Sequence, residues 1–538
     1  MSGRPELWWF GSTGEPARPM AGDRSRANRR RQRLDAIACL SLSTLCFSRA
    51  RSETLVSTDW GFYHQAPLGA LAPAALVLNV VVLAAIGFVC VQGIRRVRRT
   101  TWRRLAAGVA AAALLISLNY ARITHERVGD LADAIGHPVL LVLVMVALAS
   151  SLRWPRPALR VIRGLALVAS PLVAVTLGHA LWTLLEASAG HEWRLVDPAP
   201  LARTAPSLRR VVWVVLGELD QRITFEARPA GLDLPELDRL RRESLYADAA
   251  HPPAGTPEVS MPALITGRPV VAVAPTSPNE LELTFADGKA ARWSAQPNVF
   301  SRARTLGYDT ALVGWHLPYP RVLGGSLGAA DWRPSVAHEQ ARGDTLGQAL
   351  RNQWGSLVPP ANVRRLLSQR LGDLWPLAIR RATDGRFGLV LLHLPLPQPP
   401  AIYDRATGRL TAWNFTAAGG GYLDNLALAD RLLGDLRRAI DRAHLGDRTW
   451  IVLTSDGWWR ASRRYDGLAD RRVPFLVRPP DGGRGAHVDA PFNTVGTHDL
   501  ILAILRGSVS DTRDAAAWLA RHPVAPPTGY TSQGRPIY

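Results

Sequence analysis

The chain has 538 residues, 47% of them hydrophobic, and a formal net charge of +20. A chain of this length is expected to form two or more structural regions. Its positive charge is concentrated beside apolar runs, at Arg29–Arg33, Arg95–Arg104 and Arg153–Arg163. This placement is typical of cytoplasmic loops in membrane proteins, so the composition predicts contact with a lipid bilayer and no nucleic-acid partner. The three cysteines lie at or before Cys90, which excludes a disulfide or a zinc–thiolate site in the remainder of the chain.

The N-terminal third predicts a membrane domain behind a polar tail. Residues 1–33 are basic and rich in Gly, Pro and Arg, and we predict that they are disordered. Residues 34–187 contain apolar runs that approach or reach the length of a membrane span. They predict four to five helices, at about 36–50, 70–92, 105–122, 137–152 and 165–185. The first run is short, so a re-entrant or interfacial segment is an open alternative for it.

The arginine clusters also predict an orientation, because positive loops favour the cytoplasmic side. A topology with four helices puts two of the clusters on the cytoplasmic side, Arg95–Arg104 and Arg153–Arg163. The cluster Arg29–Arg33 is inside only if residues 36–50 cross as well, which favours five helices. The sequence therefore predicts a multi-pass protein of the inner (cytoplasmic) membrane whose C-terminal domain is extracytoplasmic.

After a predicted linker at 188–207, residues 208–538 predict an α/β domain with a mostly parallel sheet covered by helices. The continuous apolar runs Val211–Leu216 and Phe387–Leu394 are typical of strands buried on both faces. A further strand is predicted at Thr449–Thr454, and an amphipathic helix at Tyr422–Ala443.

Acidic residues follow two of these strands. Glu218 comes after the first, and Asp456 after the strand at Thr449–Thr454. In open α/β sheets, sites form at the carboxyl ends of the strands. Further along the chain, Thr256 offers a hydroxyl. An acid at a strand end with a hydroxyl beside it is the layout of a metal-assisted hydrolase or transferase.

The order of these pieces resembles the sulfatase-like branch of the alkaline phosphatase superfamily. That branch includes the phosphoethanolamine transferases and lipoteichoic acid synthases, which carry N-terminal membrane helices. The resemblance spans about Leu208 to Leu505 and rests on Gly217-Glu218, Ser260-Met261-Pro262, Leu264–Gly267, Gly307–Thr310, His393–Pro397, Tyr422–Asp430 and Thr454-Ser455-Asp456. It implies a divalent metal (zinc, calcium or manganese) and chemistry on phosphate or sulfate esters of an envelope lipid or polysaccharide.

The resemblance also implies roles for individual residues. Glu218 and Asp456 match metal ligands, and Thr256 is the candidate nucleophile and a further ligand. An alternative for Thr256 is the N-cap of a helix that begins at Pro257. The candidate substrate-binding residues are His393, His316 and Gln398.

Three positions depart from the family pattern. Pro257 stands in the nucleophile position, Gln398 replaces a histidine, and Gly457 stands where a histidine or asparagine follows the late-strand acid. The neighbouring Trp458-Trp459-Arg460 could line a pocket or simply pack. Two hypotheses therefore stay open: a membrane-anchored metal-dependent hydrolase or transferase, and a catalytically inactive relative that acts as a binding or assembly partner, with no metal if the site is degenerate.

Overall fold

The computed structural model describes residues 21–55, 61–64, 69–96, 100–124, 137–187, 198–201, 209–336, 341–357, 359–411, 420–480 and 482–538. Contacts divide the chain into two compact units, residues 1–49 with 76–180 and residues 50–75 with 181–538. The predicted linker at 188–207 lies mostly outside the described residues, as do residues 1–20 of the predicted tail.

Helices make up most of the described part of the N-terminal region. In chain order they are α1 (Ala21–Cys46), α2 (Ser48–Leu55), α3 (Leu71–Arg96), α4 (Thr100–Thr124), α5 (His137–Arg153), α6 (Pro155–Val168) and α7 (Pro171–Ala187). By length and composition, α3 and residues 100–120 of α4 could each cross a membrane. The pair α5 and α6 would make a third candidate if counted as one span, although it bends by 116°. These helices are compatible with membrane anchoring, and the five-helix count and the orientation stay predictions.

Two expectations for this region differ from the structure. Residues 21–33, which the sequence predicts to be disordered, form the first half of α1. Alanine and arginine in this stretch are good helix formers. Asp35, further along the same helix, is buried in ion pairs with Arg95 and Arg163. The arginine-rich stretch after Arg153 was expected to be a loop and is helix α6, which Pro155 can begin because its fixed φ suits the first helical position.

The α/β unit contains the strands that position the candidate site. They are β1 (Arg210–Gly217), β2 (Leu245–Ala247), β3 (Ala250–His251), β4 (Val270–Ser277), β5 (Glu280–Phe285), β6 (Ala290–Arg292), β7 (Asp309–His316), β8 (Ala329–Pro334), β9 (Phe387–Pro397), β10 (Tyr403–Asp404), β11 (Arg409–Leu410), β12 (Thr449–Ser455), β13 (Phe475–Arg478), β14 (Ala486–Val488), β15 (Phe492–Asn493), β16 (Gly529–Tyr530) and β17 (Pro536–Ile537). Its helices are α8 (Pro235–Glu243), α9 (Pro257–Thr266), α10 (Val299–Thr305), α11 (Tyr319–Leu323), α12 (Leu346–Gly355), α13 (Pro359–Ala382), α14 (Gly420–Arg442), α15 (Ser462–Asp466), α16 (Thr497–Arg506) and α17 (Thr512–Arg521).

Eight strands form one mixed sheet in the order β14–β2–β13–β12–β1–β9–β7–β8. The five strands from β12 to β8 are parallel, while β13 runs antiparallel to both of its neighbours. The predicted mostly parallel α/β sheet is therefore confirmed. Strands β4, β5 and β6 form a separate antiparallel sheet.

Strand β1 is buried on both faces, as its apolar run predicts. Val211, Trp213 and Val215 pack into one apolar cluster, which also contains residues of α9 and α16. Val212, Val214 and Leu216 pack into the other, with residues of α13 and α14. Full burial of each such side chain contributes about 1.5–3 kcal/mol, so these two clusters hold β1 at the centre of the sheet. Its carboxyl end is thereby fixed beside the ends of β9 and β12.

Candidate active site

The two predicted acids meet at the carboxyl ends of β1 and β12. Register places Leu216 opposite Ser455, and both acids follow within two residues. The Glu218 backbone N–H donates to Asp456 Oδ1 at 3.1 Å, and both residues are buried. Glu218 has φ 57°, a left-handed conformation that is uncommon outside glycine. The structure thus brings together the two residues that the family resemblance assigned to a metal.

The Glu218 carboxylate is paired with Arg460. Arg460 Nε donates to Glu218 Oε1 at 2.8 Å, and Nη2 contacts the same oxygen. Burial raises the pKa of Glu218 above its ordinary value, while the guanidinium acts in the opposite direction. Burial would lower the pKa of Arg460, but the carboxylates of Glu218, Asp456 and Glu258 outweigh it and raise that pKa. A protein cation therefore neutralises the first-strand acid.

The second acid, Asp456, contacts His393 on β9. Asp456 Oδ2 lies 3.1 Å from His393 Nε2, and Tyr319 Oη lies 2.7 Å from His393 Nδ1. Burial lowers the pKa of His393 and keeps the ring neutral, and it raises the pKa of Tyr319 well above its ordinary value. Because Asp456 lies at Nε2, we assign the single imidazole proton to that nitrogen, and Nδ1 then accepts from the Tyr319 hydroxyl. Trp315 Nε1 also lies 3.1 Å from Nε2, but a protonated Nε2 cannot accept from it.

A second polar cluster contains Thr256, Glu258 and His316. His316 Nε2 lies 2.7 Å from Glu258 Oε1. Burial would raise the pKa of Glu258, but the nearby His316, the backbone N–H of Glu258 and the Thr256 side chain lower it to about 2. Thr256 stands at the N-cap position of α9, with Pro257 as the first helical residue. Its side chain makes no capping hydrogen bond, so the N-cap alternative is confirmed for the backbone position only.

The two clusters lie next to each other. Trp315 links them, because its ring centroid lies 5.4 Å from that of His316 and 5.7 Å from that of His393. Glu218, Asp456, His393, His316 and Thr256 are therefore gathered at one edge of the sheet.

Gln398 occupies a different environment from the one expected of a substrate-binding residue. Its backbone N–H donates to Gly217 O at 2.9 Å. Its side chain packs on Gly217, where an added Cβ would lie 3.1 Å from Gln398 Oε1. That oxygen is buried and has no hydrogen-bond partner among the described residues. Gln398 thus supports the end of β1, and its role toward a substrate stays a prediction.

The loop after β12 explains why Gly457 replaces a potential ligand. An added Cβ at Gly457 would lie 3.1 Å from the Gly255 carbonyl oxygen, and one at Gly255 would lie 2.5 Å from Trp458 Cη2. Contacts at 2.5 Å are sterically impossible without movement. The two loops therefore approach closely: a side chain at 255 requires Trp458 to move, and a side chain at 457 requires a smaller shift of the Gly255 carbonyl.

Several residues at the site were not assigned roles from the sequence. The sequence indicates Arg460 only as a possible pocket residue, and it does not single out Glu258 or Tyr319. Trp459 stacks on Tyr422 with ring centroids 3.9 Å apart, so this tryptophan packs, as the alternative held. Spacing along the chain could not reveal the Arg460–Glu218 pair, because it joins residues 242 positions apart.

The arrangement does not fit a bound divalent metal. Within the described ranges, no group of three or more His, Cys, Asp and Glu side chains is placed to hold a metal ion. Catalytic zinc sites have three protein ligands, whereas here Glu218 is occupied by Arg460, Asp456 contacts His393, and Gly457 offers no side chain. The divalent cofactor implied by the family resemblance is thus not matched by the donor set.

No protein-family model matches the sequence, and no curated protein matches it. Among similar solved structures, a phosphonate monoester hydrolase of Agrobacterium radiobacter has 16% sequence identity and a TM-score of 0.38, and the match covers 55% of this chain and 74% of that chain. A sulfatase from Pseudoalteromonas sp. has 14% identity and a TM-score of 0.36, with 56% of this chain and 68% of that chain covered. A protein in the alkaline phosphatase superfamily from Vibrio parahaemolyticus has 14% identity and a TM-score of 0.37, with 59% of this chain and 71% of that chain covered. They cover the C-terminal domain and belong to the group that the sequence resemblance named. At these scores they carry no conclusion about catalysis, metal or substrate.

Proposed function

We propose that this chain is a membrane-anchored, sulfatase-like protein whose α/β domain does not hydrolyse esters and serves as a binding or assembly partner in the cell envelope. The observation that carries the proposal is the Arg460–Glu218 ion pair. Arg460 brings a cation to the acid that would otherwise bind a metal.

A guanidinium cannot perform the chemistry of that metal. A divalent ion lowers the pKa of a coordinated oxygen and withdraws charge from the ester. Arg460 offers N–H donors and a single charge, and Glu218 already neutralises that charge. Hydrolysis would therefore depend on the protein's own base.

The base available to Thr256 is weak. The carboxylate next to Thr256 is that of Glu258, whose pKa is about 2. General-base catalysis is most efficient when the pKa of the base lies near the working pH, and the pKa of this carboxylate lies far below neutrality. Glu258 therefore does not activate Thr256 as a nucleophile.

The charge of the site also disfavours an anionic ester. The carboxylates of Glu218, Asp456 and Glu258 face the cation of Arg460 and, at most, a second positive charge on His316. The net charge of these five groups stays negative, so a phosphate or sulfate group would be repelled where they meet. This supports a partner other than a small anionic ester.

A second candidate is the hydrolase or transferase itself. It is favoured by one observation, the half-buried Thr256 at the N-terminus of the buried helix α9. Backbone N–H groups at a helix N-terminus attract anions, so this position could still receive an ester if the neighbouring loops moved.

Turnover by the full-length protein in detergent distinguishes the two candidates. The substrates are aryl phosphate monoesters and diesters, aryl phosphonates and aryl sulfates, each with and without zinc, calcium or manganese. We expect the wild type to release no more product than Thr256→Ala. Metal-dependent release that Thr256→Ala abolishes would contradict the proposal and establish the hydrolase.

A further inference from the structure

A short segment between α2 and α3 forms part of the α/β unit. The described residues 61–64 belong to the unit that contains the sheet. Phe62 is fully buried and joins the apolar cluster that packs on one face of the sheet. The residues on either side of this segment are also tied to the unit, since Glu53 accepts the Ala341 N–H at 2.9 Å and Ala72 O accepts from Gln353 at 3.0 Å.

Arg321 on α11 clamps this segment. The guanidinium is buried, with 4% of the residue exposed. Nη1 donates to Phe62 O at 2.9 Å and to Pro278 O at 3.2 Å, and Nη2 donates to His64 O. The guanidinium also lies over the Trp332 ring, 5.2 Å from its centroid. The fork of an arginine can serve several carbonyls at once, which a lysine cannot do in the same geometry.

The clamp brings Tyr63 against the candidate site. The ring centroids of Tyr63 and His316 are 5.5 Å apart and the planes are tilted by 49°. His316 has φ 71°, a strained backbone conformation that persists only where the surroundings hold it. The Trp315 ring also lies close to it, with the centroids 5.4 Å apart. His316 is thus enclosed between its own strand and a segment that precedes it by more than 250 positions.

We infer that residues 61–64 are a fixed wall of the candidate site, that Arg321 is the clamp that holds this wall, and that Tyr63 is a positioning residue for His316. Through His316, the wall also sets the place of Glu258, which is 2.7 Å away. This inference is independent of the proposed function, because it concerns how the site is built and not whether it turns over. A partner or substrate that reaches His316 would meet Tyr63 as well.

Protease protection in the full-length protein tests the clamp. Chymotrypsin cuts after Phe62 or Tyr63 only when the segment leaves its place, and mass spectrometry identifies those two bonds. Arg321→Lys keeps the charge and loses the fork, and we expect cleavage there to become about tenfold faster or more. Arg478→Lys is the matched control: Arg478 is buried elsewhere in the unit, with its Nε 2.7 Å from Glu243, and it should leave cleavage at 61–64 unchanged. Equal cleavage in Arg321→Lys and the wild type would overturn the clamp.

Histidine signals test the positioning role and decide the matter if Arg321→Lys unfolds. In protein labelled at histidine, the ring resonance of His316 is identified by its loss in His316→Gln. Tyr63→Leu removes the neighbouring aromatic ring and should shift this resonance, whereas Tyr63→Phe keeps the ring and should leave it in place. A His316 resonance that is the same in Tyr63→Leu and the wild type would refute the positioning role.

Discussion

Arg460 is the residue on which the proposed function of the site at the end of β1 depends. The side chain is 46% exposed, while the Glu218 side chain that it contacts is 7% exposed. Burying a carboxylate without a partner is costly, and removing one member of such a pair leaves an uncompensated charge. Arg460 therefore offsets the free-energy cost of burying the Glu218 carboxylate. This structural role of Arg460 does not depend on what the domain binds.

Arg460→Ala should destabilise the α/β unit by about 1–3 kcal/mol at neutral pH, since it leaves a buried acceptor unsatisfied. Burial already raises the pKa of Glu218 above its ordinary value of 4.5, and loss of the cation raises it further. The folded variant then prefers the protonated acid, so its stability is greatest below pH 4.5 and falls as the pH rises through the folded-state pKa. Denaturant unfolding from pH 4.5 to pH 8 measures this slope.

The control for this prediction is the double variant Arg460→Ala with Glu218→Gln. A neutral amide needs no cation, so the second change should recover most of the lost stability and remove the added pH dependence. If Arg460→Ala is as stable as the wild type at every pH, the ion pair has no structural role, and the proposal that Arg460 occupies the first-strand acid is wrong.

At the scale of elements, the sequence predicts strands well and loops poorly. The runs at Val211–Leu216 and Phe387–Leu394 predict β1 and β9 because strands buried on both faces are continuously apolar. The pair Asp287-Gly288 between two short strand-like runs predicts a hairpin, and β5 and β6 confirm it, with Gly288 at φ 78°. The metal-ligand assignment could not be judged from the sequence, because it depends on how the loop after β12 turns back toward β1.

The contact between the loops at Gly255 and Gly457 can be tested by adding one methyl group. Gly255→Ala places a Cβ 2.5 Å from the Trp458 ring, and overpacking of this kind costs about 1–3 kcal/mol. Gly347→Ala is the matched control, because Gly347 lies in α12 with nothing within 4 Å of an added Cβ; replacing a helical glycine should stabilise by about 0.5–1 kcal/mol. Thermal unfolding of both variants measures the difference. A Gly255→Ala variant as stable as Gly347→Ala would show that the loops are not in contact.

At the scale of the whole molecule, the sequence predicts a membrane domain followed by an α/β domain, and the structure assigns one segment differently. Residues 50–75 were assigned to the membrane domain, yet they belong to the unit that contains the sheet. Composition could not reveal this, because Phe62 and Tyr63 look like any aromatic pair near an apolar helix. The predicted envelope location rests on the apolar helices α3 and α4 and on the arginine clusters, and it stays a prediction.

Metal binding tests the central claim most directly. The full-length protein is titrated with zinc, calcium and manganese up to about 1 mM while its unfolding temperature is followed, with Glu218→Gln as the reference. A site with a Kd of about 10 μM would add about 2.7 kcal/mol of stability at that concentration. We expect no stabilisation of the wild type beyond that of Glu218→Gln. A stabilisation of the wild type that Glu218→Gln abolishes would show that the first-strand acid binds metal despite Arg460, and would contradict the account.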